Sequence, residues 1–164
     1  MENELVVDLI KVCKVLQEYS VEYLIVGGTA VALHGYFRVT MDVNGVPNEK
    51  HDLDIWYNPT YENYFNLIKG LEKLGLDTAI YKEESSPNPR KSYFKFEADS
   101  FSFDFLPELL SLKKFGVAFS KREVIDIDGT QIGFISYEDL INEKQKSGRS
   151  KDITDIKQLK IRKT

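Results

Sequence analysis

With 164 residues, the chain is long enough for one good hydrophobic core and too short for two comfortable ones. Its 42% hydrophobic content, with 10 Phe and 9 Tyr, argues against disorder, and a formal charge of −4 gives no support to a protein that coats nucleic acid. Cys13 is the only cysteine, which excludes an intrachain disulfide and a multi-cysteine zinc site.

The opening Met1-Glu2-Asn3-Glu4 is acidic and has no basic leader followed by an apolar run. The longest mostly apolar stretch, Tyr23 to Leu33, contains two glycines and falls short of the ~20 residues a bilayer needs. A soluble, cytoplasmic protein without membrane association is therefore expected. No repeat, low-complexity tract or linker interrupts the chain, so residues 1–164 are expected to form a single domain.

In chain order, Leu5, Leu9, Val12, Cys13 and Leu16 share one helical face and predict an amphipathic packing helix over 4–19. Val21 to Val26 reads as a buried strand running into Gly27-Gly28-Thr29-Ala30, and a helix from about Thr29 to His34 stops at Gly35. A strand entering a helix through glycines presents bare backbone N–H groups that suit phosphate, although a glycine pair is also found in any tight turn. Neither a dinucleotide fingerprint nor a P-loop is present. His34, among Ala and Val, reads as a structural histidine. Tyr36 to Thr40 follows, then a polar loop over 41–50 with Asn44-Gly45 and Pro47.

The stretch His51-Asp52-Leu53-Asp54-Ile55-Trp56 alternates carboxylates with aliphatic residues. As a strand it buries one face and presents Asp52 and Asp54 on the other, their Cα atoms roughly 6.5–7 Å apart. Like charges side by side are costly unless a cation neutralises them, so the pair reads as a site for one hard cation or two. The plainer reading is a solvated pair on the wet face of an edge strand.

After Asn58-Pro59, Thr60 is a plausible N-cap for a helix to Leu74, with Tyr64, Phe65, Ile68, Leu71 and Leu74 on its apolar side. A strand is expected near Thr78 to Lys82, then a loop at Ser85 to Pro89. Strands follow at Ser92 to Ala98 and Phe101 to Leu106; in the latter three phenylalanines alternate with Ser102, Asp104 and Leu106. Asp104 thus has a rigid apolar backing, which a precisely placed carboxylate needs. Strands at Glu123 to Ile127 and Gln131 to Ile135 flank an Asp128-Gly129 turn. Ser136 with Asp139 resembles a capping box for a helix to Ser147, closed by Gly148. A last helix over about 150–161 is expected to carry Ile153, Ile156 and Leu159 inward. Lys144, Arg149 and Lys151 cluster where these C-terminal helices meet, by default a solvated face.

Gly27-Gly28-Thr29-Ala30, His34-Gly35, Arg38-x-Thr40 and Asp52-x-Asp54 together resemble the nucleotidyltransferase superfamily, whose fold is shared with DNA polymerase beta. The closer similarity is to the bacterial branch containing the nucleotidyltransferase toxins of type IV toxin–antitoxin systems and uncharacterised single-domain relatives. Asn58-Pro59-Thr60-x-Glu62-Asn63, Asp104-x-Leu106-Pro107 and the closing Lys144, Arg149, Lys151-Asp152, Asp155 pattern extend the resemblance from Tyr23 to Leu159. It implies an α+β fold with a mixed sheet carrying the aspartates, helices packed chiefly on one face, and two C-terminal helices over about 136–161.

It also implies transfer of a nucleoside monophosphate from a nucleoside triphosphate to a hydroxyl, with release of pyrophosphate. Asp52 and Asp54 would hold two Mg²⁺ ions, with Asp104 as third ligand near the acceptor hydroxyl. Gly27, Gly28 and Thr29 would cradle the β- and γ-phosphates, and Arg38 and Lys144 are candidate triphosphate contacts. The acceptor could be a protein, an aminoglycoside-like small molecule or a tRNA end. A second copy of the chain or a toxin/antitoxin partner could complete its site.

Three features depart from the family pattern. Gly28 stands where the superfamily's phosphate loop commonly has Ser. Residues 41–51 separate the threonine from the aspartate pair, and this insertion offers a rival pair, Asp42-Val43-Asn44, with the usual spacing from Arg38. Asp52 and Asp54 are preferred, because Asn is a weaker Mg²⁺ ligand and Gly45 ends the strand signal. Finally, there is little room for a separate acceptor-binding domain. A haloacid-dehalogenase-type phosphatase would need Thr where Trp56 stands, and the histidines are too few for most hydrolytic metal centres. The alternative of another class is a nucleotide-binding or toxin-neutralising protein of the same fold without turnover, against which the intact Asp52, Asp54 and Asp104 argue.

Overall fold

Leu5, Leu9, Val12, Cys13 and Leu16 are buried together, and the helix they define, α1 (Glu2–Glu18), lies against a six-stranded sheet. The computed structural model describes residues 2–35, 51–97 and 101–163. After α1 come β1 (Tyr23–Val26), α2 (Gly27–Leu33), β2 (His51–Tyr57), α3 (Tyr61–Lys73), α4 (Ala79–Glu83) and a 3-10 turn (Pro89–Lys91). Then follow β3 (Phe94–Glu97), β4 (Phe101–Leu106), α5 (Phe115–Ser120), β5 (Glu123–Ile127), β6 (Thr130–Phe134), α6 (Tyr137–Ser147) and α7 (Ser150–Lys163).

The strands lie in the order β3-β4-β2-β1-β6-β5. β2 pairs parallel with β4 and antiparallel with β1, β1 pairs parallel with β6, and the two outer pairs are antiparallel. This is the expected mixed sheet of an α+β fold. Its helices, expected chiefly on one face, are shared between both. Leu53, Ile55, Tyr57 and the phenylalanines at 101, 103 and 105 face a core built with α1 and α3. Leu24, Val26 and Trp56, one residue out of phase, face a second core built with α2, α5, α6 and α7. The aspartates share the phase of Trp56, so they lie on the side covered by the C-terminal helices.

Two local expectations are corrected. Residues 78–82 form no strand: Asp77 accepts from the Ala79 N–H, and the Thr78 carbonyl accepts from Tyr81 and Lys82, closing the short helix α4. These local bonds satisfy the backbone without a neighbouring strand. In α3 the buried stripe is Tyr64, Leu67, Ile68 and Leu71, whereas Phe65 is exposed. The Thr60 cap is present, accepting from Asn63 N–H. The buried Asn63 amide bonds Glu22 and Asn58, stitching the start of β1 to the end of β2. That gives the Asn58-to-Asn63 motif a structural role.

Candidate active site

β2 and β4 run parallel in register, with Asp52 opposite Ser102 and Asp54 opposite Asp104. Neighbouring strands are about 4.8 Å apart, so the residues of each pair stand side by side on one face. Behind them Leu53, Ile55 and Phe105 are fully buried, which fixes the strands in position and orientation. Trp56 closes one end of the row: its indole N–H donates to the Pro107 carbonyl at 3.0 Å, and its ring meets Phe115 edge to face.

The carboxylates feel one another. Burial, then the charges of Asp104 and Asp52, and a hydrogen bond shared with Asp104, push Asp54 up to about 6; Lys144 opposes the shift. Ser102, itself buried, donates its hydroxyl to Asp52 Oδ1. Asp52 is the exposed member, and Asp54 and Asp104 are half-buried.

The strand-to-helix turn after β1 abuts this row. Val26 pairs with Asp54, and Gly27 follows in the left-handed region at φ 64°. A Cβ on Gly27 would lie 2.4 Å from Asp54 Oδ2, so only glycine admits this approach. The first turn of α2 has no side-chain cap, since Val26 occupies the N-cap position. Thr29 is buried, and its hydroxyl donates to the Asp52 carbonyl at 3.3 Å, tying α2 to β2.

The α6–α7 junction brings positive charge. Lys144 is almost fully buried, its Nζ 3.1 Å from both Asp152 Oδ1 and Asp155 Oδ2, and both carboxylates are wholly buried. Arg149 Nε donates to Asp152 Oδ2 at 2.8 Å, and a second guanidinium nitrogen donates to Oδ1 at 3.3 Å. Burial alone would raise Asp152, but hydrogen bonds from Arg149, Ser147 and Lys144 hold it well below the usual carboxylate range. The charge of Lys144 lowers Asp54, and that of Asp54 is a minor contribution to the upward shift of Arg149, so the junction is coupled to the carboxylate row through its charges.

A family model described as "Nucleotidyltransferase of unknown function (DUF6036)" matches residues 4–164. The chain belongs to this family. Among solved structures it is similar in fold to the Thermotoga maritima protein TM1012, assigned to the nucleotidyltransferases, at 17% identity over 96% of this chain and 93% of that one, with a TM-score of 0.61. It is equally similar to the lincosamide antibiotic adenylyltransferase LnuA in its lincomycin-bound form, at 17% identity over 98% of this chain and 96% of that one, TM-score 0.60. No curated protein matches by sequence.

In this nucleotidyltransferase the structure brings Asp52, Asp54, Asp104, Gly27, Gly28 and Thr29 to one end of the β1–β2–β4 strands, while Lys144 is engaged by Asp152 and Asp155 and acts on Asp54 through its charge. Arg38 lies outside the described residues, as does the rival Asp42. As the side chains stand, no group of three among the described residues is arranged around a single ion position. One Asp52 oxygen is turned to Ser102, and Asp54 and Asp104 relieve their repulsion by sharing a hydrogen bond. A hard divalent ion fits this all-oxygen donor set. Sequence reasoning missed Ser102 as a partner of Asp52; its position two residues before Asp104, on the same strand face, was the available signal. In α7, Leu159 is buried and Ile156 packs against the second core as expected, but Ile153 is half exposed and the other buried positions are Asp152 and Asp155. His34 is structural as expected, its ring against Phe134 and Tyr137 and its Nε2 2.9 Å from the Ile135 carbonyl. No helix among the described residues is long and apolar enough to cross a membrane.

Proposed function

We propose that this nucleotidyltransferase transfers a nucleoside monophosphate from a nucleoside triphosphate to an acceptor hydroxyl, releasing pyrophosphate, with Mg²⁺ held by Asp52, Asp54 and Asp104. The observation that carries this reading is the row of three carboxylates set in register against an uncapped helix start. Bound there, Mg²⁺ would neutralise the carboxylates and polarise the phosphoryl oxygens. Asp104 accepts the proton of the attacking hydroxyl, directly or through water, and Asp54, pressed between Asp104 and Gly27, holds the row in place. The N–H groups of Gly28 and the following turn meet the phosphate oxygens. The Thr29 hydroxyl is engaged by the Asp52 carbonyl, so Thr29 serves mainly to fix that turn against β2. Arg38 would add charge to the triphosphate. The acceptor is a hydroxyl on a protein, a small molecule or a tRNA end, and the lincomycin seen in LnuA makes lincosamides one useful small-molecule probe.

The test is incubation with each labelled triphosphate and Mg²⁺ against lysate protein, tRNA, aminoglycosides and lincosamides, following both label transfer and pyrophosphate. Transfer to one acceptor class is expected. Asp104→Ala should lower kcat by ~10²–10⁴-fold while changing triphosphate Kd little, the mark of an interaction felt mostly in the transition state. Mg²⁺-dependent triphosphate binding without pyrophosphate release on any acceptor would sink the reading.

A further inference from the structure

The sheet ends at β5, and among the described residues no strand lies beyond it. The β5–β6 hairpin turns through Asp128 and Gly129, both at positive φ, so Ile127 and Thr130 form its hydrogen-bonded closing pair. The alternation of an antiparallel ladder then sets the rest. Ile125 and Glu123 also turn their backbone groups to β6, whereas Val124 and Asp126 turn theirs to the open edge. β6 keeps the same phase: its Gln131 carbonyl and Gly133 N–H meet the Tyr23 hydroxyl on the β1 side, away from β5.

Exposed edges are commonly blunted by charge, proline or a bulge. β5 has no proline, and its pairing with β6 runs unbroken from Glu123 to Ile127. Its two acids are drawn back into their own chain. Asp126 accepts from the Gly129 N–H at 2.9 Å and from the Gln131 side-chain amide at 2.6 Å. Glu123 accepts from the Tyr137 N–H at 3.3 Å and lies 3.5 Å from His34 Nε2. What the strand offers outward is aliphatic: Val124 is 49% exposed and Ile125 38%, on opposite faces of the sheet.

From this geometry we infer that β5 is the docking edge for a second copy of this chain, the two β5 strands pairing antiparallel about a two-fold axis at Ile125. In this register Val124 stands opposite the partner's Asp126, and the outward N–H and C=O groups of both residues are matched. Ile125 meets its own counterpart as a non-hydrogen-bonded pair, with Cα atoms about 4.5 Å apart. The exposed Arg122 comes opposite the partner's exposed Asp128, and no like charges face each other. A register centred on Asp126 would oppose two aspartates. One centred on Val124 would need the Arg122 N–H, which already donates to the Phe119 carbonyl. This self-complementarity favours a second copy over an unrelated strand. Beside Val124 runs a groove of about 450 Å³, lined also by Gln17, Val21, Tyr23, Phe119 and Arg122, where the register brings the partner's Asp128-Gly129 turn. β6 separates β5 from β1, so the pairing leaves the carboxylate row open in each copy.

Sedimentation velocity from low to high micromolar protein, with amide hydrogen exchange at the same concentrations, tests the pairing. Wild type should pass from monomer to dimer in the micromolar range, since five paired residues a side make a small interface. The Val124 and Asp126 amides should gain protection as the dimer forms. Ile125→Lys sets two ammonium groups opposite each other and should weaken the dimer at least ~10-fold with little change in Tm. Ile125→Cys should cross-link into a disulfide dimer under mild oxidation, because the Cα spacing allows it. Val7→Cys, on α1 and 63% exposed, should not, and the native Cys13 is buried. The cross-linking comparison decides the matter even where Ile125→Lys fails to fold. A wild type that stays monomeric, an Ile125→Lys dimer as tight as wild type, or equal cross-linking of the two cysteine variants overturns the inference. Protection of the Val124 and Asp126 amides in the monomer would show that the chain itself covers the edge, and overturns it equally.

Discussion

Asp54→Asn should make the metal-free protein more stable at neutral pH while abolishing transfer. Folded, Asp54 keeps its proton up to about 6, whereas its ordinary value is 3.8. Between those values the native state binds more protons than the unfolded chain, so wild-type stability falls as pH rises through the window and stays reduced above it. The difference corresponds to at most ~3 kcal/mol, and partial exposure and coupled titration with Asp104 bring the expected effect to about 2 kcal/mol. Asparagine carries no charge and its amide can donate to Asp104, so the variant escapes the penalty. Urea unfolding of both proteins in EDTA, from about pH 4 to about pH 8, measures the gap directly. It should be near zero at the acid end and fully open above pH ~6 in favour of the variant. Adding Mg²⁺ at neutral pH should stabilise wild type and leave the variant nearly unchanged. A gap that does not vary with pH, or a variant less stable than wild type at neutral pH, would refute the claim that burial and the neighbouring carboxylates penalise an ionised Asp54.

Gly27→Ala should lose roughly 1–2 kcal/mol of stability from the left-handed backbone alone, and kcat should fall by about 10²-fold as the added methyl displaces the Asp54 carboxylate; circular-dichroism melts and the transfer assay read the two effects separately. Asp52→Asn should remove Mg²⁺-dependent triphosphate binding while Asp42→Asn leaves it nearly intact, as calorimetric titration of both variants would show; equal losses would mean that the metal pair has been misassigned.

The parts of the fold legible in the sequence are those where one face of an element is apolar and the other is not. The five buried positions of α1, the alternation in β2 and β4, and the Ser136 and Thr60 caps each announce their structure locally. The pairing of β2 with β4 is not of this kind. It joins residues about fifty positions apart, and periodicity sets the face of Asp104 but not its neighbour. The helix at 79–83 was hidden for another reason. Its Asp77 and Thr78 groups close a turn through side-chain and carbonyl bonds that compete with any strand, and no hydrophobic pattern records that competition.

The site divides in the same way. Asp52, Asp54 and Gly27 are visible because carboxylate alternation and glycine are unusual where they stand. Lys144, Asp152 and Asp155 stand out only through the family resemblance, and their burial is not legible, since hydropathy assigns all three to water. Counting every residue of α7 by its angle rather than its polarity puts Asp152, Asp155 and Leu159 on one stripe, three and four residues apart, and this is the stripe that is buried. A charged residue can occupy such a stripe only if its partner is buried opposite, and the partner here lies on the preceding helix. The consequence is electrostatic. On the sheet, burial and then the neighbouring carboxylates raise Asp54, and on the helical side the charge of Lys144 opposes the rise. A polyanion bringing its own divalent cations would relieve the carboxylates, which is the role proposed above for Mg²⁺ with a triphosphate. A nucleotide arriving without the cations would leave that repulsion in place, which is why binding should depend on Mg²⁺.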